Sequence, residues 1–300
     1  MKKLEKAFGF YPEPLEMKAG SIKVSPLPKF SSIVAPVSAH KNVKDDWIYA
    51  PLQQTRDFMS GKIREQPYSS RVFGLSKTHI IEHAKATGDE HLDFLIWALS
   101  FFVGMRLTAT EAGFLDATPV KTGKLVDFVL LGQSLERAVE LADSFWVTNQ
   151  SEPRNAQRFE AAVHALFLGR YPQALLFESF IYLYTAIDAC YALTKALRCP
   201  GGYHPHSNRI AWMCGELGVK TPVWADPPSV SAIRNDALHE ALFLGAPLGF
   251  AASQSGTRIN FRLEMTALVC RLLVALIGGN DASYLGSSVD TRQYHGLDLS

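Results

Sequence analysis

The sequence predicts a mainly α-helical protein, with a C-terminal helical bundle and an N-terminal extension of mixed or helical structure. Three observations predict it. From Ser76 onward, apolar residues recur at spacings of three and four over long stretches, the period of a helix with one buried face. Two segments, Phe94–Met105 and Leu263–Ile277, are apolar almost throughout. Both are shorter than the ~20 residues that cross a bilayer, and Glu264 and Arg271 interrupt the second, so they read as buried core helices. The chain of 300 residues is 47% hydrophobic and 20% charged. That is an ordinary globular composition, neither disordered nor collagen-like, and long enough to bury roughly three quarters of the unfolded surface.

Residues 1–75 carry many prolines and glycines and no long helical period. Short β-branched or aromatic runs at Ser21–Ser25, Ser32–Val37, Trp47–Ala50 and Arg71–Leu75 are candidate strands. Ser76 or Thr78 caps a short helix to Ala86, and Gly88-Asp89 starts a second that runs on to Leu107. Residues 108–124 form a Thr/Ala/Gly/Pro loop. Lys124–Leu131 reads as a strand or as a buried helical turn. Ser134 opens a helix with Leu135, Val139, Leu141 and Phe145 on its apolar side.

Ser151-Glu152-Pro153 divides the chain into an N-terminal region (1–150), a helical bundle (151–282) and a polar tail (283–300). The first bundle helix, about Arg154–Leu168, packs through Phe159, Val163 and Leu166. The second, about Pro172–Leu197, packs through Phe180, Tyr184, Ile187 and Tyr191. After the loop CPGGYHPHS comes a short third helix, about Asn208–Leu217. Asp226-Pro227-Pro228-Ser229 caps a fourth, which stops near Gly245. The fifth, about Arg258–Ile277, ends at Gly278-Gly279-Asn280.

Thirty basic residues against 29 acidic leave a net charge of +1. Coating nucleic acid or anionic membrane by bulk charge is excluded, whereas a local RNA site needs only a few cations. Cys190, Cys199, Cys214 and Cys270 are widely spaced, without zinc-ribbon or disulfide-framework spacing, and read as free thiols of a cytoplasmic protein. The N-terminal MKKLEKAFGFYPEPLEM has no apolar run behind its basic residues and does not read as a signal peptide.

The fourth bundle helix, SVSAIRNDALHEALFLG, carries the chemistry. Its apolar stripe is Val230, Ile233, Ala237, Ala241 and Leu244. At about 100° per residue, His239 lies roughly 160–180° from that stripe, with Asn235 one turn above it. Arg234 flanks the stripe, where its stem packs while its head reaches out. A permanent cation with a forked donor set, a neutral amide and a side chain that titrates near neutrality together suit a phosphate. Asp188 lies in the apolar second helix, where a charge needs a partner. Either it pairs with Arg234 or orients His239, or it makes a structural hydrogen bond to a loop.

Arg234-Asn235-Asp236-Ala237-Leu238-His239 matches the R-x4-6-H pattern, and with its helical surroundings it resembles the HEPN superfamily of helical-bundle ribonucleases. FIYLYTAIDACYAL resembles the long second helix of ApeA-like HEPN domains, in which an acidic residue often stands where Asp188 stands here. The resemblance covers about residues 153–280. It implies a metal-independent endoribonuclease without cofactor, in the role of a toxin or phage-defence effector. Arg234, Asn235, His239 and Asp188 would be its site. RNA would be its substrate, a homodimer through the bundle its assembly, and an antitoxin or regulatory protein a further partner. The same fold also serves as a non-catalytic interaction or RNA-binding module.

One rival motif is present. His79-Ile80-Ile81-Glu82-His83 matches H-x-x-E-H, which on a helix sets two His side by side for zinc with the Glu as general base. A zinc hydrolase is thus a distant alternative, with Glu152 or Glu160 as third ligand. His204-Pro205-His206 lies in a Gly/Pro loop with no Cys or carboxylate beside it, and its alternative to a metal site is a substrate contact near the bundle. Nucleophile-elbow, phosphate-loop and dinucleotide motifs are absent.

Overall fold

The computed structural model describes residues 3–225, 229–248, 260–291 and 295–300. The chain forms two compact units, Met1–Lys124 and Leu125–Ser300. Helices make up 44% of it and strands 19%, in six small sheets. The expectation of a mainly α protein is therefore corrected, and the strands concentrate in the N-terminal unit.

That unit contains β1 (Leu4–Phe8), β2 (Met17–Ala19), β3 (Ile22–Pro26), α1 (Phe30–Ser38), β4 (Val43–Lys44) and β5 (Trp47–Tyr49). There follow β6 (Leu52–Arg56), β7 (Ile63–Ser69), β8 (Val72–Phe73), β9 (His79–His83), α2 (Asp89–Val103), β10 (Phe114–Leu115) and β11 (Ala117–Pro119). The largest sheet runs β1-β9-β3-β2 and is antiparallel. Its inner strand β9 replaces the helix expected from Ser76 to Ala86. His79, Ile81 and His83 are buried while Ile80 and Glu82 are less so, a period of two. Two of the three inward residues are histidines, so hydrophobicity alone hides the alternation. The opposite error occurs at Ser32–Val37, which lies inside α1 rather than in a strand. Phe10, Ile48, Ala50, Phe73 and Phe114 form a separate small core. The β6–β7 ribbon stands clear of it, with Phe58 100% and Met59 98% exposed at its turn.

The C-terminal unit contains β12 (Phe128–Leu130), α3 (Ser134–Thr148), α4 (Arg154–Gly169), α5 (Leu176–Arg198), α6 (Arg209–Leu217) and α7 (Ser229–Asn235). A short hairpin of β13 (Leu242–Phe243) and β14 (Ala246–Pro247) precedes α8 (Phe261–Leu276), α9 (Ala282–Leu285) and β15 (His295–Leu297). The turn at Ser151–Pro153 joins α3 to α4 inside this unit. Phe159, Val163 and Leu166 of α4 are fully buried, as are Phe180, Leu183 and Ile187 of α5 to within 2%. α4 and α5, joined by a short loop, pack along each other and α8 packs against both. Asn260 caps α8 by accepting from the Leu263 N–H at 3.1 Å. Arg258, where the sequence starts this helix, lies outside the described residues, as does Asp226-Pro227-Pro228.

The C-terminal residues do not form a free polar tail. β15 pairs in parallel with β12, and Arg271, wholly buried in α8, donates to Asp127 Oδ2 at 2.6 Å and to Ser287 Oγ at 2.7 Å. Tyr284 of α9 donates its hydroxyl to Asp127 Oδ1 at 2.6 Å. A charge interrupting an apolar helix is thus paired and hydrogen-bonded, as burial requires.

Candidate functional site

On α5, Tyr184, Asp188 and Tyr191 follow at spacings of four and three and share one face. The loop after α5 turns at Gly201 (φ 86), a left-handed backbone that suits glycine. It returns through Tyr203 and His204 to a single 3₁₀ turn, His206–Asn208, that leads into α6. The loop is tied down by aromatic residues of α5 and α6. The His204 ring stacks on Trp212 at 4.1 Å between centroids, and the His204 N–H donates to the Tyr191 hydroxyl at 3.3 Å.

Arg209, the first residue of α6, organises this region. Its Nε donates to the His204 carbonyl at 3.2 Å. Its Nη1 donates to Asp188 Oδ1 at 3.2 Å and meets His206 Nδ1 at 3.0 Å. The guanidinium lies 4.5 Å over the Tyr191 ring, within cation–π range. Asp188 therefore finds its partner in Arg209 rather than in Arg234 or His239.

Arg234 sits at the end of α7, half-buried, 6.0 Å over the Tyr184 ring, and its Nη1 donates to Asn235 Oδ1 at 3.0 Å. Immediately afterwards the helix widens into a π turn over Asp236–Glu240, where the Ala241 N–H donates to the Asp236 carbonyl five residues back. The sequence reading of a straight helix to Gly245 is corrected here. Ala241 (φ 55) ends the helix, and Leu244 (φ 53) with Gly245 (φ 78) turns the hairpin. Just after the π turn, Phe243 is fully buried, 5.3 Å from the Phe180 ring. Val230 and Ala237 hold the buried stripe as expected, whereas Ala241 is exposed. In an α-helix Arg234 and His239 would diverge by roughly 140°. Hydrogen bonds closing on five residues put more residues in each turn, which narrows that divergence. His239 and Asn235 are exposed.

The electrostatics join the two halves of the region. Burial first, and then the Arg209 charge, hold His206 below its ordinary pKa; Arg234 lowers it further and Asp188 opposes. Burial, followed by the Asp188 charge, pushes the Tyr184 phenol up to about 12, against the pull of Arg234 and Arg209. Two guanidinia, one carboxylate, an imidazole and a phenol thus share one electrostatic neighbourhood. Arg209 is the residue that motif reading missed, whereas His206 is legible in sequence only as part of a loop with a substrate contact as its alternative. The signal for Arg209 is weak: a cation placed just after a Gly/Pro loop, within reach of an acid in the preceding helix.

The rival zinc motif does not assemble. On β9, His79 and His83 are four residues apart, or about 13 Å along a strand. Zinc–nitrogen bonds are ~2.0–2.1 Å, so the pair cannot share one ion. Glu82 lies on the other face of the strand. The His79 Nε2 accepts from the Leu15 N–H at 3.1 Å, and Phe8, Tyr11 and Phe30 surround its ring. Burial lowers its pKa to about 4. It is a neutral core side chain.

No protein-family model, curated protein or solved structure matches the chain.

Proposed function

We propose that the protein is a metal-independent endoribonuclease of the HEPN type, acting through Arg234, Asn235 and His239. The observation that carries this reading is the π turn. It follows Arg234-Asn235 directly and includes His239, leaving the Asn235 amide and the His239 imidazole exposed. π turns inside helices recur at functional sites. His239 takes the proton from a ribose 2′-hydroxyl as O2′ forms a bond to phosphorus. The P–O5′ bond breaks, and the leaving oxygen takes a proton from water or the imidazolium. Arg234 and Asn235 stabilise charge on the phosphate. The products are a 2′,3′-cyclic phosphate and a 5′-hydroxyl.

A second copy of the chain, across a two-fold axis, completes the site in this reading by presenting its own motif helix. Light scattering at micromolar concentration is expected to give a dimer, and a monomer would remove the composite site. A toxin or phage-defence role with a regulatory protein partner follows from the same resemblance. The chemistry is tested by product analysis: cleavage in EDTA that leaves cyclic phosphate and spares DNA of the same sequence supports it.

The alternative is an RNA-binding or interaction module without cleavage. It is favoured by the exposure of His239, which makes no hydrogen bond to an orienting side chain among the described residues. Binding of RNA without any cleavage would select it.

A further inference from the structure

Arg209 is held unusually firmly for a half-buried cation. Three acceptors and an aromatic face fix it: the His204 carbonyl, Asp188, His206 and Tyr191. These use Nε and Nη1. Its Nη2 donates to no acceptor among the described residues, so one edge of a pre-positioned guanidinium is left over. A cation locked in place in this way can receive an anion without further loss of side-chain freedom.

The tautomer of His206 follows from the same contact. A guanidinium only donates, so Nδ1 of His206 must accept. The proton of the neutral ring therefore resides on Nε2. The local pKa shift acts in the same direction, keeping the ring uncharged. His206 thus offers a neutral N–H donor beside the Arg209 guanidinium, within the field of the Arg234 charge. Asp188 offsets one of these two charges, and the sum over Arg209, Arg234 and Asp188 remains positive.

We propose that Arg209, Arg234 and the Nε2–H of His206 form a cradle for a phosphodiester oxyanion, with Asp188 as the positioning residue that holds Arg209. This rests on reading Arg234 as a phosphate-binding residue. It adds the loop between α5 and α6, through His206, and the first turn of α6, through Arg209, to the site. His206 in this role donates a hydrogen bond and transfers no proton.

The test is binding of a 2′-O-methyl oligoribonucleotide, which cannot be cleaved through its 2′ oxygen, measured by fluorescence anisotropy with the full chain. Arg209→Lys keeps the charge but not the fork and is expected to weaken binding about tenfold or more, as loss of a charge-assisted hydrogen bond does. His206→Ala is expected to weaken it by a similar factor. His206→Gln, whose amide N–H can take the place of Nε2–H, should bind within about threefold of wild type. Melting curves establish that each variant is folded. Arg209→Lys and His206→Gln serve where an alanine variant fails to fold.

Arg209→Lys and His206→Ala binding as tightly as folded wild type would overturn the cradle, as would a wild-type protein that does not bind the probe. Binding loss in His206→Gln equal to that in His206→Ala would overturn the neutral-donor role. The nuclease reading fails separately. A wild type that binds the probe in this pattern and cuts no RNA leaves the cradle and removes the nuclease. Cleavage that needs His239 but is indifferent to Arg209 and His206 does the reverse.

Discussion

Each of three histidines, His79, His206 and His239, is assigned a different state by its neighbours. His239 is exposed on a π turn, His206 is locked as a neutral donor by a guanidinium, and His79 is sealed among aromatic rings. His79 gives a sharp stability prediction. Its folded pKa of about 4 lies below the ordinary 6.5, so the unfolded chain binds a proton that the folded one refuses. The associated stability is fully present above pH 6.5 and is lost as pH falls toward 4, by up to about 3 kcal/mol. Melting temperature measured from pH 7 to pH 4 should fall steeply, and His79→Gln should flatten that limb. An unchanged acid limb in the variant would show that His79 titrates normally. Nothing in the H-x-x-E-H spelling distinguishes a core histidine from a ligand. The distinction comes from β1 and β3 pairing on either side of β9.

At the scale of elements, the long helices were legible because their apolar positions repeat over several turns. The bundle helices at Phe159–Leu166 and Phe180–Tyr191 bury the residues named from spacing. Short strands carry no comparable signal, and β9 pairs with β1 from more than seventy residues away. The end of the motif helix carries no such repeat: Ala241 stops it in a left-handed conformation, and Phe243 then packs on Phe180, a tertiary contact. The π turn invites a direct test. Deleting Leu238, which is 51% exposed, removes one residue and lets the helix close on four-residue bonds. Circular dichroism and melting should remain close to wild type while RNA cleavage falls about 10²-fold, the scale of a misplaced acid–base group. Retained cleavage would show that the π turn is incidental. Around α8, Arg271→Ala strands Asp127 and should cost about 3–5 kcal/mol. Arg271→Met combined with Asp127→Asn should cost less than Arg271→Ala alone, because no buried charge is left unpaired. Equal melting temperatures for Arg271→Ala and wild type would contradict that account of the C-terminal segment.

For the whole molecule, composition indicated a globular chain with a local rather than global charge site, and no helix among the described residues is long and apolar enough to cross a membrane. The division between the two compact units at Lys124 and Leu125 was less legible, since β12 depends on β15 from the far end of the chain. Of the site, Arg234, Asn235 and His239 were visible as a motif, and Asp188 as an acid needing a partner. His206 was visible only within a loop that offered a substrate contact, and Arg209 stood out only once that loop had folded back onto α5. The measurement that bears most directly on the proposed activity is cleavage of mixed-sequence single-stranded RNA by the full chain in EDTA. Wild type is compared with His239→Ala and Arg234→Ala, each shown by melting to be folded. The expected result is cleavage by wild type with cyclic-phosphate ends, no cutting of DNA, and a loss of about 10²-fold or more in both variants. RNA left intact by folded wild-type protein, or His239→Ala cutting as fast as wild type, would contradict it.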